Sequence, residues 1–229
     1  MNIIDIVILV LIAFGFLIGF KRGFTRELVS IIGIFAVLVL SFLLKNPVSV
    51  FLYRNFPFFN FGGIFKDITV LNILLYEILS FIFLFIIFTI LLKILLSITK
   101  IFEKILTVTI ILGIPSKILG GILGIVQSII YIFIALYILT LPVFNLKEIE
   151  KSNISNLILD KTPFLNNICE EVIDTFNEVV ELKNEYSTTD NTKEFNQKAL
   201  NIMIDKGVIS KDNALELIKK GKIKNVVLE

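Results

Sequence analysis

The chain has 229 residues, of which 56% are hydrophobic and 18% are charged, and its formal net charge is +2. A soluble domain has about 45–50% apolar and about 25% charged residues, so this composition excludes an ordinary soluble protein and indicates a membrane protein. With no histidine and one cysteine, the chain has no internal disulfide, no histidine-based metal site and no histidine general base.

Four apolar runs are long enough to cross a bilayer, which requires about 20 residues of helix. The runs are residues 3–20, 28–44, 68–92 and 118–141. Because backbone polar groups in lipid must be satisfied within their own segment, each run is predicted to be an α-helix. We therefore predict an all-α integral membrane protein with four transmembrane helices. Its transmembrane domain, residues 1–145, precedes a soluble amphipathic helical tail, residues 146–229.

The segments that connect these runs are less regular. Residues 46–66 are rich in aromatic side chains but contain two prolines and a Gly-Gly pair. They predict short interfacial or re-entrant pieces and not a spanning helix. Lysines beyond residue 92 indicate that the third helix leaves the membrane there. Residues 105–114 are apolar but too short to span, and Pro115 is expected to end them.

The tail shows helical periodicity throughout. Apolar residues recur at spacings of three and four across residues 164–180, which predicts an amphipathic helix. Two shorter helices, residues 193–206 and 211–220, are followed by Gly207 and Gly221, which suit helix C-termini. These two helices are predicted to form a hairpin. The lysines at its basic end are expected to complement a helix C-terminus.

The first and fourth helices carry small residues at intervals of four, which places them on one face of each helix. They are Gly15, Gly19 and Gly23 in the first helix and Gly120, Gly124 and Ser128 in the fourth. Lipid supplies little hydrophobic drive between helices, so close backbone approach is a main source of packing energy. Both rows are therefore predicted helix-packing faces, which meet each other or a second copy.

Charged residues cluster between the first two helices. Lys21, Arg22 and Arg26 lie there, with Glu27 at the start of the second helix. Basic loops favour the cytoplasmic side, so both chain termini are predicted to lie outside the cytoplasm. The same cations suit anionic lipid headgroups, and the alternative is that they act as a topology signal alone.

Glu77 is the acidic residue inside the third apolar run. A charge at the bilayer centre costs about 2.5–3.5 kcal/mol on insertion scales, so such a residue indicates an ion or proton site. The alternative is that Glu77 reaches the interface or bonds to polar neighbours. The sequence has no phosphate-binding glycine loop, metal-spaced cysteine set or nucleophile elbow. We predict no enzymatic activity, no cofactor, no metal and no nucleic-acid partner.

Three stretches of the sequence carry a family resemblance. They are Ile4-Asp5-Ile6, Phe20-Lys-Arg-Gly23-Phe-Thr-Arg26-Glu27-Leu28 with Ser30 and Gly33 after it, and Leu119-Gly120-Gly-Ile-Leu-Gly124-Ile-Val-Gln127. Together they resemble the colicin V production protein family over roughly residues 1–145. The chain departs from that pattern at Ser116-Lys117, where the family often has Asn/Asp-Arg, and at Gln127, where it often has a basic residue.

The resemblance implies a four-helix protein of the bacterial plasma (inner) membrane, linked to colicin V production or export, with no catalytic residues. We therefore expect a non-enzymatic protein that supports bacteriocin production, secretion or envelope homeostasis. Its expected partners are the lipid bilayer and either further copies of itself or other envelope proteins. Two alternatives are a small transporter or channel subunit that uses Glu77, and a scaffold whose tail recruits partners.

Reporter fusions after Glu229 test the predicted orientation. Because the basic stretch after the first helix is predicted to be cytoplasmic, alkaline phosphatase fused at Glu229 should be active and green fluorescent protein should be dark. The same reporters fused after Arg26 are the control and should give the opposite pattern. A fluorescent fusion at Glu229 would overturn the orientation.

Overall fold

The computed structural model describes residues 2–60, 68–106, 113–140, 147–162, 174–175, 177–182, 186, 192–224 and 226–228. Within these ranges the regular secondary structure is α-helical. Among the described residues, four helices are long and apolar enough to cross a membrane. The predicted fold class is thereby confirmed.

The long helices are α1 (Ile3–Arg22), α2 (Phe24–Asn55), α3 (Leu71–Leu106) and α4 (Gly113–Leu139). The shorter ones are α5 (Lys147–Glu150), α6 (Asn153–Asp160), α7 (Thr192–Asp205) and α8 (Lys211–Lys219). Residues 177–182 are also helical, but most of the helix predicted over residues 164–180 lies outside the described residues.

Helix α2 ends at Asn55 and not at residue 44. The interfacial pieces predicted for residues 46–66 are therefore wrong for residues 46–55, and residues 61–67 lie outside the described part. Pro47 is inside the helix, where it removes one backbone donor. The helix continues because contacts on its buried face hold both sides of the proline, and the Ser49 hydroxyl donates to the Asn46 carbonyl at 2.9 Å.

The boundary between α3 and α4 also differs from the prediction. Helix α3 continues to Leu106 and α4 already begins at Gly113. Pro115 therefore lies in the first turn of α4 and does not end the preceding segment. The first N–H groups of a helix have no helical partner, so proline at that position loses no hydrogen bond.

The hairpin predicted at the C-terminal end is present as α7 and α8. Gly207 and Gly221 have φ values of +75° and +68°, a conformation that glycine adopts with little penalty. Ser210 begins α8 as its N-cap, because its hydroxyl accepts a hydrogen bond from the Asn213 N–H at 3.3 Å. Local signals were therefore sufficient to place both turns.

The chain forms two compact units. The first comprises Met1–Leu38 and Phe88–Ile168, and the second comprises Val39–Ile87 and Cys169–Glu229. Helices α2 and α3 each contribute residues to both units, and α7 and α8 belong to the second. The predicted division into a transmembrane domain, residues 1–145, and a soluble tail, residues 146–229, stays a prediction.

A seam of small residues, here called the glycine seam, joins α1 to α4 in the first unit. A methyl group added to Gly120 would lie 2.5 Å from the Gly19 carbonyl oxygen, and one added to Gly19 would lie 2.9 Å from the Gly124 Cα. Such distances leave no room for a side chain. At the other end of the seam, Gly15 lies against Gly124 and Ser128. The two rows therefore pack on each other within one chain.

The outer faces of the long helices are apolar. Phe14, Ile32, Phe83 and Ile122 are between 49% and 61% exposed. A water-soluble monomer rarely exposes so much contiguous apolar surface. These faces are suited to contact with lipid hydrocarbon, while small and polar residues are turned inward.

Replacing Gly124 with alanine should destabilise the protein, because the added methyl group would overlap the Gly15 backbone. Overpacking of this kind costs about 1–3 kcal/mol. Denaturant unfolding in detergent, followed by circular dichroism, measures the loss. Gly113→Ala is the matched control, since a methyl group there meets no atom within 4 Å. Equal stability of the two variants would show that the seam is not tightly packed.

Candidate functional site

The break between α1 and α2 is the single residue Gly23, whose φ is +80°. Its N–H donates to the Gly19 carbonyl at 2.9 Å and closes α1. Helix α2 then begins at Phe24, whose N–H donates to the Ser116 hydroxyl of α4 at 3.2 Å. The predicted loop that carries Lys21, Arg22 and Arg26 is therefore reduced to Gly23, and Glu27 lies in the first turn of α2. Those residues end α1 and start α2, because glycine permits the chain to change direction within one residue.

The charged residues on either side of the break at Gly23 have separate roles. Arg22 pairs with Glu27 across the break, with Nη1 and Oε2 3.5 Å apart. The Glu27 side chain is 2% exposed and the Arg22 side chain 43%, so Arg22 reaches in to neutralise a buried carboxylate. Lys21 and Arg26 are exposed, which is compatible with contact to lipid headgroups.

Asp5 connects the start of α1 to α6. Its carboxylate accepts hydrogen bonds from the Ser152 hydroxyl at 2.5 Å and from the Ile154 N–H at 3.2 Å. It also accepts one from the Asn2 N–H at 2.7 Å. Ser152 is in turn the N-cap of α6 and accepts from Ser155. Asp5 lies in the first turn of α1, and nothing local in the sequence indicates its partner in α6.

The predicted intramembrane residue Glu77 forms an ion pair with Lys45. The Lys45 ammonium group on α2 donates to Glu77 Oε1 on α3, and the two side chains are 3% and 1% exposed. Lys45 lies just beyond residue 44, where the second apolar run ends in the sequence, but α2 continues past it to Asn55. An isolated buried charge is very costly, and a paired one is tolerated, so each residue makes the other possible.

Further buried polar side chains surround this pair, and we call the whole set the polar core. It comprises Ser41, Lys45, Ser49 and Tyr53 on α2 and Asn72, Tyr76, Glu77 and Ser80 on α3. The α2 members recur every four residues and therefore share one face of the helix. That spacing is present in the sequence, but it indicates a shared helix face only if residues 46–55 are helical, which the proline and aromatic residues there did not predict.

The segment after α2 folds back onto the polar core. The Tyr76 hydroxyl donates to the Pro57 carbonyl at 2.6 Å. Asn72 accepts from the Phe59 N–H at 2.7 Å and donates to the Phe59 carbonyl at 3.0 Å. The Phe58 and Phe59 rings each lie 6.1 Å from the Tyr76 ring. Residues 57–59 therefore cover the first turns of α3.

The C-terminal hairpin holds the end of α2 through contacts that we call the hairpin latch. The Lys222 ammonium group donates to the carbonyl oxygens of Tyr53, Arg54 and Phe56 at 2.7, 2.7 and 2.9 Å. The last carbonyl groups of a helix have no helical partner, so Lys222 caps α2. A lysine of the basic end thus does complement a helix C-terminus, but the helix is α2.

An ion pair strengthens the hairpin latch. Arg54 lies 2.7 Å from Glu216 Oε2 and donates to Asn213 Oδ1 at 2.6 Å. A hydrogen bond from Lys220, together with the positive charge of Arg54, lowers the pKa of Glu216. The carboxylate therefore stays ionised near neutral pH.

Among the residues that the structure describes, no group of three or more acidic or cysteine side chains is placed to hold a metal ion. The predicted site residues fall into three places. The two glycine rows meet in the glycine seam, the charges of residues 21–27 lie at the break between α1 and α2, and Glu77 lies in the polar core.

The model of the family described as colicin V production protein matches residues 4–163. This chain belongs to the colicin V production protein family. The match extends beyond residue 145 and includes α5 and α6, in agreement with the contact between Asp5 and Ser152. It contains the glycine seam and the polar core, whereas α7, α8 and Lys222 lie outside it. No curated protein sequence and no solved structure matches the chain.

Family membership and four apolar helices make this chain a multi-pass membrane protein of the colicin V production family. The site residues that the sequence did not identify are Lys45 and Lys222. The four-residue spacing of polar residues in α2 is a local signal for Lys45, but the partners of Lys45 and Lys222 lie far away in the chain and could not be inferred locally.

Glu77→Gln should destabilise the protein because it leaves the Lys45 ammonium group buried without a countercharge. Removing one partner of a buried pair costs about 3–5 kcal/mol. The double variant Lys45→Met/Glu77→Leu contains no buried charge and should recover most of that loss. Denaturant unfolding in detergent compares the three proteins. A double variant no more stable than Glu77→Gln would contradict the pairing.

Proposed function

We propose that this chain is a non-enzymatic plasma-membrane component that supports production or secretion of a colicin V-like bacteriocin, or the homeostasis of the envelope on which secretion depends. The observation that carries the proposal is the family match across the membrane helices. The protein is embedded in the lipid bilayer, and its proposed partners are further copies of the chain or other envelope proteins.

The arrangement of buried polar groups supports a role without catalysis. Among the described side chains of the long helices, Asp5 accepts a hydrogen bond from Ser152 and Glu27 is paired with Arg22. Such groups stabilise helix termini and junctions. A nucleophile or general base needs access to substrate, and these carboxylates are almost completely buried.

The length of α2 supports a role at the membrane surface. Its 32 residues extend about 48 Å at about 1.5 Å per residue, whereas the hydrocarbon core is about 30 Å thick. The end that carries the hairpin latch therefore projects into the aqueous phase. With both termini outside the cytoplasm, that end faces the compartment into which a toxin is exported.

Two other functions remain candidates, each with a supporting observation. A transporter or channel subunit is favoured by the polar core, since buried ionisable residues in membrane helices are a default sign of ion or proton handling. A scaffold is favoured by the hairpin, which lies outside the family match and is thus available for a partner particular to this chain.

Deleting the gene should lower the amount of active toxin released by a bacteriocin-producing host. Toxin activity in the culture supernatant and in the cell pellet is measured separately, because retention in the pellet indicates a defect in secretion and loss from both indicates a defect in production. Complementation with Gly113→Ala should restore release, and Gly124→Ala should restore less. Unchanged toxin titres after deletion would refute the proposal.

The candidates can be separated with variants that keep the glycine seam. If Lys45→Met/Glu77→Leu restores toxin release fully, ion handling by the polar core is not the function that release requires. If a chain truncated after Tyr186 forms the same crosslinked complexes as the full chain, the scaffold hypothesis fails.

A further inference from the structure

We propose that the polar core is a proton-binding site centred on Glu77, that polar side chains connect it to the aqueous end of α2, and that the hairpin latch closes this path. The site is independent of any role in toxin release, and purified protein is sufficient to test it. All of its residues belong to the second unit.

The path follows one face of α2. Lys45, Ser49 and Tyr53 are spaced by four residues and are at most 3% exposed. At about 1.5 Å per residue, Tyr53 lies about 12 Å along the axis from Lys45, with Ser49 midway. A polar group therefore recurs about every 6 Å. The first carbonyl group of the hairpin latch is that of Tyr53.

The facing helix continues the same pattern. Tyr76 and Ser80 flank Glu77, and the Ser80 hydroxyl donates to the Tyr76 carbonyl at 2.6 Å. Asn72 lies one turn before Tyr76 and is completely buried. Polar side chains thus extend from Glu77 toward the end of α3 that residues 57–59 cover.

Stability alone does not require a buried ion pair at this position. Replacing such a pair with apolar residues of similar volume is often neutral or stabilising. Ionisable residues inside membrane helices usually mark ion sites or proton relays. A charged pair accompanied by six further buried polar side chains therefore indicates proton handling more strongly than Glu77 alone did.

The proposed step is the protonation of a carboxylate. A hydronium ion transfers its proton to the Glu77 carboxylate, which leaves water and a neutral carboxyl group. The net charge of the pair then changes from zero to +1. The Lys45 ammonium group then has no countercharge, and this favours release of the proton from Glu77 to water. Proton binding is therefore reversible. The other titratable and charged groups of the path are Tyr53, Tyr76, Arg54, Glu216 and Lys222.

The hairpin latch controls access because it covers the outer end of the path. Tyr53 is 1% exposed, and its carbonyl group is one of the three that bind Lys222. The Lys222 ammonium group also lies 5.5 Å from the centre of the Phe58 ring, so it links the hairpin to residues 57–59. Release of Lys222 would free the end of α2 and expose Tyr53 and then Ser49 to water.

Carbodiimide labelling tests the proton site. Dicyclohexylcarbodiimide reacts with protonated carboxyl groups in apolar surroundings: the acid O–H adds across one C=N bond and the acyl group then migrates to nitrogen. In full-length protein in liposomes, peptide mass spectrometry should show labelling of Glu77 that increases as pH falls. Glu194, whose side chain is 48% exposed, is the control and should not be labelled. Absence of label on Glu77 at every pH would overturn the site.

Cysteine accessibility tests the path and the latch. In full-length protein carrying Cys169→Ser and Ser49→Cys, a cationic methanethiosulfonate reagent should react slowly. Lys222→Ala should accelerate that reaction about tenfold or more, since it removes three charge-assisted hydrogen bonds. Lys219→Ala removes the same charge from an exposed position and should leave the rate unchanged.

A second cysteine position controls for access through lipid. Leu43→Cys lies on the outer face of α2, where the leucine is 65% exposed in the isolated chain, and should stay unreactive in the bilayer. A Ser49→Cys protein that is unreactive with and without Lys222→Ala would overturn the path. Equal rates in the Lys222→Ala and Lys219→Ala backgrounds would overturn the latch.

Discussion

A bilayer offers no hydrogen-bond partner, so every polar group placed in it has to be satisfied by the protein itself. This constraint accounts for the pairs that organise both units. Asp5 meets Ser152, Arg22 reaches back to Glu27, and Lys45 is buried against Glu77. Two of these pairs join segments far apart in the chain, and the pair of Arg22 and Glu27 spans the break at Gly23. The same bonds that satisfy polar groups therefore also fix where helices begin and which helices meet.

In the bilayer, burial of apolar side chains contributes little to helix association, because lipid is itself apolar. Close packing in the glycine seam is therefore needed to hold α1 against α4. Close contact of the backbones of α1 and α4 replaces side-chain burial as the source of packing energy. The seam ends at Gly23, which also forms the break between α1 and α2. One residue therefore serves both packing and chain direction, which explains why the basic stretch around it carries so specific a pattern.

The features that depend on local chemistry could be predicted from the sequence. Hydropathy predicted the four transmembrane helices, and the four-residue spacing predicted the glycine rows. Gly207 and Gly221 predicted the ends of the two hairpin helices. The features that depend on distant contacts could not. Pro47 and the aromatic residues after it suggested that a helix had ended, whereas the Lys45–Glu77 pair and the contact with Lys222 stabilise the helix through that region. A local propensity is overridden where tertiary contacts are strong.

The extension of α2 and the C-terminal hairpin depend on each other. Without Lys222, three carbonyl groups at the end of α2 would lack this donor, and an uncapped terminus frays. Without the extension, Lys222 and Glu216 would lose their binding surface. The polar core lies within the family match and the hairpin outside it. The tail thus supplies the cation that completes a helix of the family domain, which couples a segment outside the family match to the polar core.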